Sequence, residues 1–114
     1  MATRAALPSN ERAARLYAEG RTREWAFDYF GARDLLNKAI AADPDFPLAH
    51  AALSDVWWHT GYDAKAREEA QRALELSNHL SQEQQLLVER QYQRTVQEWS
   101  KAVETYRSLF RLFP

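Results

Sequence analysis

The stretch from Pro47 to Asn78 reads PLAHAALSDVWWHTGYDAKAREEAQRALELSN, and its pattern predicts two short helices joined by a tight turn. The first helix, from Leu48 to Thr60, is apolar on nearly every side, which indicates burial on several sides. Gly61 is predicted to end it, because glycine adopts the left-handed backbone of helix ends without steric cost. Asp63 is predicted to cap the second helix, from Ala64 to Leu76. The buried stripe of that helix is Ala66, Ala70, Ala73 and Leu74.

A similar helix pair is predicted before this stretch. Ser9 or Asn10 can start a helix that runs to about Ala26. Its apolar face consists of Ala13, Leu16, Tyr17 and Gly20, which are three or four positions apart, and of Phe27, seven positions after Gly20. Asp28 is predicted to cap the next helix, from Tyr29 to Ala42.

A third pair follows. Ser81 and Gln84 have the spacing of a capping box, in which each side chain bonds the other residue's backbone amide. The helix that begins there reaches a break near Gln97, and a last helix spans Trp99 to Leu112. Helix-forming residues are plentiful and β-branched ones scarce, so we predict an all-α chain.

The second helices of the three pairs share a pattern. Small alanines stand at Ala32, Ala66 and Ala102, which are 34 and 36 residues apart. A helical hairpin with a period of about 34 residues resembles the tetratricopeptide repeat (TPR). The resemblance implies one domain of three hairpins, at about 10–46, 47–80 and 81–114, stacked as a right-handed α-solenoid. Residues that depart from the family pattern include Glu19, Arg23, Glu89 and Arg90.

Three further stretches resemble a narrower group of proteins. LYAEG at 16–20, FDYFGARDLL at 27–36 and KAIAADPDFPLAHAAL at 38–53 look like the repeat region of large bacterial signalling proteins. In those proteins the repeats follow a serine/threonine kinase domain or a winged-helix regulator domain. The resemblance implies that this chain is a module of a longer signalling protein.

Composition excludes several classes of function. The net charge is −1 with both signs interspersed, so no basic field exists to hold a nucleic acid. No apolar run approaches the roughly 18 residues of a membrane helix, and no signal peptide is visible. The absence of cysteine excludes disulfides and thiolate metal sites. A cytoplasmic location is favoured over a periplasmic one, although composition fits any compartment.

No residue pattern indicates an enzyme, a metal site or a cofactor. His50 and His59 are nine residues apart and His79 lies in a linker, so no pair has ligand spacing. Asp43 and Asp45 begin like a calcium loop, but Pro47 and Leu48 stand where a ligand and a glycine are needed. No phosphate loop or nucleophile elbow occurs.

The TPR resemblance implies a concave surface formed by the first helix of each hairpin. It places eight candidate binding residues there: Tyr17, Arg21, Trp25, Asp55, Trp58, His59, Gln91 and Arg94. Trp58 points about 100° away from its core neighbour Trp57, so it would anchor a partner's side chain if exposed. The alternative is that Trp58 packs on the first or the fifth helix.

Some TPR domains bind acidic C-terminal tails through a clamp of lysines and asparagines. The corresponding positions here are Tyr17, Arg21, Ala51, Asp55, Leu87 and Gln91, so that clamp is absent. We therefore expect a non-catalytic module for protein or peptide partners. It would bind an extended or helical segment with an apolar anchor.

The last helix suggests an alternative function. Val103, Phe110 and Phe113 are predicted to face a following repeat and so to form an apolar end face. Such a face indicates an interaction surface, which makes an oligomerising spacer, with a homodimer through the last helix, the second hypothesis. Ordinary exposure of a few apolar side chains is the remaining interpretation.

Overall fold

A computed structural model describes residues 11–96 and 98–114. The predicted start signal at Ser9 and Asn10 and the predicted break at Gln97 lie outside these residues. The described part contains six α-helices and a short 3-10 turn at Ser77–His79. The helices are α1 (Glu11–Trp25), α2 (Tyr29–Ala42), α3 (Pro47–His59), α4 (Asp63–Glu75), α5 (Gln82–Thr95) and α6 (Trp99–Leu112).

The helices pack as three hairpins, α1 with α2, α3 with α4 and α5 with α6. Neighbouring hairpins stack through α2 against α3 and through α4 against α5, while α3 also touches both α1 and α5. The first helices of the hairpins therefore lie side by side and form one surface. The predicted all-α solenoid of helical hairpins is confirmed.

The turn between α3 and α4 forms as predicted at Gly61, whose φ is 87°. The amide of Tyr62 donates to the Trp57 carbonyl at 2.9 Å and that of Gly61 donates to the Trp58 carbonyl at 3.3 Å. These two bonds form a Schellman motif, which satisfies carbonyls that the helix end leaves unpaired.

The predicted cap at Asp63 is wrong. The N-cap of α4 is Tyr62, which makes no side-chain capping bond, and Asp63 is the first helical residue. The turn at Gly61 is so short that the helix begins one residue earlier than the sequence pattern predicts. The Asp63 carboxylate still lies in the first turn, where the positive end of the helix dipole stabilises it.

The other two predicted caps are confirmed. The Asp28 carboxylate accepts a hydrogen bond from the Gly31 amide at 3.0 Å. Ser81 and Gln84 form the complete capping box.

The core consists of small and aliphatic residues at the hairpin contacts. Ala32, Ala66 and Leu36 are fully buried and pack with residues of α3 such as Val56. A Cβ added at Gly20 would lie 2.8 Å from Leu36 Cγ, so only glycine allows α1 to approach α2 this closely. A second cluster is centred on Ala39, Phe46 and Ala49. A third, between α4 and α5, consists of Ala73, Leu80 and Val88.

Candidate functional site: a cavity between the first helices

A cavity of about 150 Å³ opens on the surface formed by the first helices. Its lining comes from α1, α3 and α5, with no residue from the second helices. The lining residues are Tyr17, Arg21, Leu48, Ala51, Ala52, Asp55, Leu87, Val88, Arg90 and Gln91.

The deeper wall of the cavity is apolar. Ala52 and Val88 are each 2 % exposed, whereas Leu87 at 37 % exposure lies near the mouth. The space exists because Ala51 and Ala52 are small, so α3 contributes little side-chain volume where it faces α5. Charged and polar groups of Arg21, Asp55, Arg90 and Gln91 surround this apolar wall.

Two side-chain contacts hold α3 and α5 together beside the cavity. The Gln91 side-chain amide donates to the Ala51 carbonyl, and Gln91 is only 5 % exposed. The Arg94 guanidinium donates to the Asp55 carboxylate at 2.5 Å. A hydrogen bond between charged groups is stronger than a neutral one. These contacts link the two helices that form opposite walls of the cavity.

Glu24 lies one helical turn from the cavity and is 9 % exposed. Its carboxylate accepts a hydrogen bond from the Arg21 guanidinium at 2.9 Å. Burial raises the pKa of Glu24 to about 7, the positive charge of Arg21 opposes this shift, and the negative charge of Asp55 adds to it. Burial also raises the pKa of Tyr17. The charge next to Arg21 therefore changes near neutral pH.

Comparison with known proteins gives a match in structure only. No protein-family model and no curated protein sequence matches the chain. A similar solved structure is the first TPR domain of Spaghetti (RPAP3), bound to the HSP90 peptide SRMEEVD. The match has a TM-score of 0.68 and 20 % sequence identity, over 91 % of this chain and 83 % of that one.

The chain has a TPR-like fold. At 20 % identity the match supports the architecture of stacked TPR hairpins and nothing finer. The resemblance to the repeats of bacterial kinases and winged-helix regulators stays a prediction.

Four of the eight candidate binding residues line the cavity of this TPR-like domain: Tyr17, Arg21, Asp55 and Gln91. All six positions of the absent clamp also lie in its lining. The candidate residues and the clamp positions of the TPR pattern therefore both lie in this cavity, although the residues there differ in chemistry from a lysine and asparagine clamp. Arg94 lies next to this place through its contact with Asp55.

The other three candidates lie elsewhere on the TPR-like domain. Trp58 is half-buried and packs beside the first core cluster, with the Arg94 guanidinium 5.6 Å from its ring. It packs towards α5, in agreement with the alternative interpretation, and it does not line the cavity. Trp25 is 67 % exposed, and the Arg21 guanidinium lies 5.1 Å from its ring. His59 is exposed and stacks on Tyr29 at 5.0 Å between ring centroids.

The residue pattern did not predict Arg90 as part of this site. Arg90 lines the cavity although it was noted only as a departure from the family pattern. Its position, three residues after Leu87 and four before Arg94, could have placed it on the same face of α5.

His50 has a structural role in this TPR-like domain. Its Nδ1 lies 2.6 Å from the Glu69 carboxylate and its Nε2 lies 2.7 Å from the Pro44 carbonyl. Burial lowers the pKa of His50, but the bonds to Glu69 and Pro44 outweigh it, so the pKa is raised. Two acceptors favour the doubly protonated ring, which ties α3 to α4.

Across 11–96 and 98–114, no group of three or more histidine, cysteine, aspartate or glutamate residues is placed to hold a metal ion. The helices of the same residues include none with the length and apolar character to cross a membrane.

Proposed function

We propose that this TPR-like domain is a non-catalytic protein-interaction module that seats a peptide or protein segment in the cavity between α1, α3 and α5. The observation that carries the proposal is the cavity itself, about 150 Å³ in volume and lined by the helices that line the concave face of a TPR array. Small-molecule pockets usually measure about 300–1,000 Å³. A smaller cavity with an apolar wall fits a single side chain.

The lining supports a segment with an apolar anchor. An apolar cavity of about 150 Å³ accommodates a ring the size of benzene, so a leucine, methionine or phenylalanine side chain is the expected anchor. Polar groups around the wall, including Asp55 and Arg90, can hydrogen-bond the backbone of the bound segment on either side. An extended or a helical segment meets these requirements.

Two further points support the proposal. The similar TPR domain of Spaghetti was solved with a peptide bound, so this fold can hold a peptide. The stretches at 16–20, 27–36 and 38–53 resemble the repeats of bacterial signalling proteins. On that resemblance we place the module in a longer cytoplasmic signalling protein, next to a kinase or winged-helix domain.

The alternative function, an oligomerising spacer, has one observation in its favour. Val103, Phe110 and Phe113 are 49 %, 57 % and 38 % exposed. Val103 and Phe110 lie on α6 and Phe113 directly follows it. None of the three lines the cavity, so the two functions can be tested separately.

Selection of binding peptides tests the proposed function. A library of random peptides displayed on phage would be selected on the whole chain, and enriched peptides titrated against Ala51→Trp, which fills the cavity. Ala41→Trp is the matched control, since Ala41 is an exposed alanine of α2. We expect at least a roughly tenfold loss of affinity, about 1.4 kcal/mol, in Ala51→Trp only.

A second variant covers the case in which Ala51→Trp fails to fold. Leu87→Glu places a charge on the partly exposed apolar wall without filling the cavity, and it should weaken the same peptides. If the enriched peptides bind both cavity variants as tightly as the unmodified chain, the cavity is not the binding site.

A further inference from the structure

The exposed face of α6 carries a continuous row of large apolar side chains. Val103, Tyr106 and Phe110 are spaced by three and four residues, which places them on one side of the helix, and Phe113 follows at its C-cap. Tyr106 is 44 % exposed, and its ring centroid lies 5.2 Å from that of Phe110. Exposed apolar rows of this kind usually contact another molecule.

The repeat itself shows what shape covers such a row. Tyr106 corresponds to Leu36 and Ala70 of the earlier hairpins, and both of those are fully buried. Phe110 corresponds to Ile40 and Leu74, which pack against core clusters that include residues of α3 and α5. In both earlier hairpins the covering element is therefore a helix that runs along the second helix of the hairpin. The α6 row has the same position in its hairpin.

Arginines border the α6 row on both sides. Arg107 and Arg111 follow each other one turn apart on one side of it. On the other side, the Arg90 guanidinium of α5 lies 5.7 Å from the Tyr106 ring. Among the described residues, no carboxylate pairs with any of these three arginines. Glu104 is the single acidic residue of α6.

The arginines favour an acidic partner over a second copy of the chain. A second copy of the chain would bring the same arginines towards one another, and like charges across an interface cost several kcal/mol. A helix with acidic residues beside its apolar face would instead pair with all three arginines. Charge complementarity of this kind increases the association rate and the specificity.

We propose that the end face of α6 docks an amphipathic helix of another protein, whose apolar row is bordered by aspartate or glutamate. This site lies on α6 and shares only Arg90 with the lining of the cavity between α1, α3 and α5, and it does not depend on the function proposed for that cavity.

Two designed helical peptides test the proposal. Both are about 18 residues long, about five turns, with blocked ends and one leucine row, and they differ only in carrying glutamate or lysine beside that row. Fluorescence anisotropy would follow their titration with the whole chain. We expect the glutamate peptide to bind at least about tenfold more tightly. Raising the salt from about 50 to 500 mM should weaken it, because salt screens the charge pairs.

Surface variants locate the interaction. The double variant Arg107→Glu, Arg111→Glu should reverse the preference between the two peptides, and Phe110→Ser should weaken both. These side chains are exposed, so the variants are expected to fold. Ala51→Trp, in the cavity, should leave the binding of the glutamate peptide unchanged.

Three outcomes would overturn the proposal. The first is equal affinity for the two peptides. The second is a dimer in sedimentation equilibrium that Phe110→Ser dissociates, which would assign the face to a second copy. The third is binding to phosphatidylserine vesicles, lost in Phe110→Ser, together with no binding of the glutamate peptide. That result would assign the face to an anionic membrane surface.

Discussion

Phe27 adopts the same left-handed backbone conformation as Gly61, with φ of 64° and 87° respectively. Each residue follows the end of the first helix of a hairpin. The amide after Phe27, that of Asp28, donates to the Arg23 carbonyl at 2.9 Å, as the Tyr62 amide does to Trp57. The two turns are thus the same motif, built once with glycine and once with a residue that disfavours this conformation.

Replacing Phe27 by glycine should stabilise the domain. A non-glycine residue costs about 1–2 kcal/mol in this conformation. The Phe27 side chain is 78 % exposed, so its contacts offset little of that cost. Part of the gain is offset by the greater freedom of glycine in the unfolded chain. We expect the free energy of unfolding in urea to rise by about 0.5–1 kcal/mol.

The matched control for that variant is Gly61→Ala, which should lower the free energy of unfolding by about 1 kcal/mol. If Phe27→Gly instead lowers it, the edge contact of the Phe27 ring with Tyr29, at 6.4 Å between centroids, outweighs the backbone cost.

Glu24 should make stability fall as the pH rises. Its pKa is raised from 4.5 to about 7 in the folded state, chiefly by burial. Because the folded value exceeds the unfolded one, this residue stabilises the fold fully below about pH 4.5, and the contribution is lost by about pH 7. Glu24→Gln keeps an acceptor for Arg21 and removes the titration. Its unfolding free energy, measured in urea across this range, should change less with pH than that of the unmodified chain, and parallel curves would contradict the account.

His50 should titrate above its ordinary pKa of 6.5, because its bonds to Glu69 and Pro44 outweigh the effect of burial. The stability it contributes is complete below about pH 6.5 and is lost as the pH rises through the folded value. Proton NMR titration measures this directly. In the control variant Glu69→Gln the midpoint should fall, and a midpoint that stays the same would show that the 2.6 Å contact carries no charge interaction.

The peptide SRMEEVD should not bind this chain. The six positions of the family's clamp carry Tyr17, Arg21, Ala51, Asp55, Leu87 and Gln91. Asp55 adds a carboxylate to the cavity lining, and the Arg21 guanidinium already contacts the Glu24 carboxyl group at 2.9 Å. Calorimetry should show no saturable binding below about 1 mM, with the first TPR domain of Spaghetti as the positive control. Saturable binding that Ala51→Trp removes would contradict the expectation.

Local signals explain why the helices could be predicted from the sequence. The alanines of α2 and α4, the cap at Asp28 and the capping box at Ser81 each act within a few residues. The predictions were wrong where a contact between distant residues, or a strained backbone conformation, determines the position of a residue. Phe27 was assigned to the buried face of the first helix, but it lies exposed in the turn. Asp63 was assigned as a cap because the length of the Gly61 turn cannot be read from residue type.

The candidate site was predictable only in part. The helical spacing, matched to the TPR pattern, predicts that Tyr17, Arg21, Asp55 and Gln91 lie on one surface. The cavity itself depends on the space left by Ala51 and Ala52 between α3 and α5, which no single helix reveals. The position of Trp58 also depends on a contact between two helices, because it packs towards α5 against Arg94, a residue far away in the sequence.

Chemical-shift mapping locates a bound peptide on the surface of the domain. The ¹⁵N-labelled chain would be titrated with a peptide enriched by selection on it. We expect the largest amide shifts on the cavity residues Ala51, Asp55, Leu87 and Gln91, and we expect Ala51→Trp to abolish them. Largest shifts on α6 or on the outer faces of α2 and α4, with the cavity amides unmoved, would contradict this expectation.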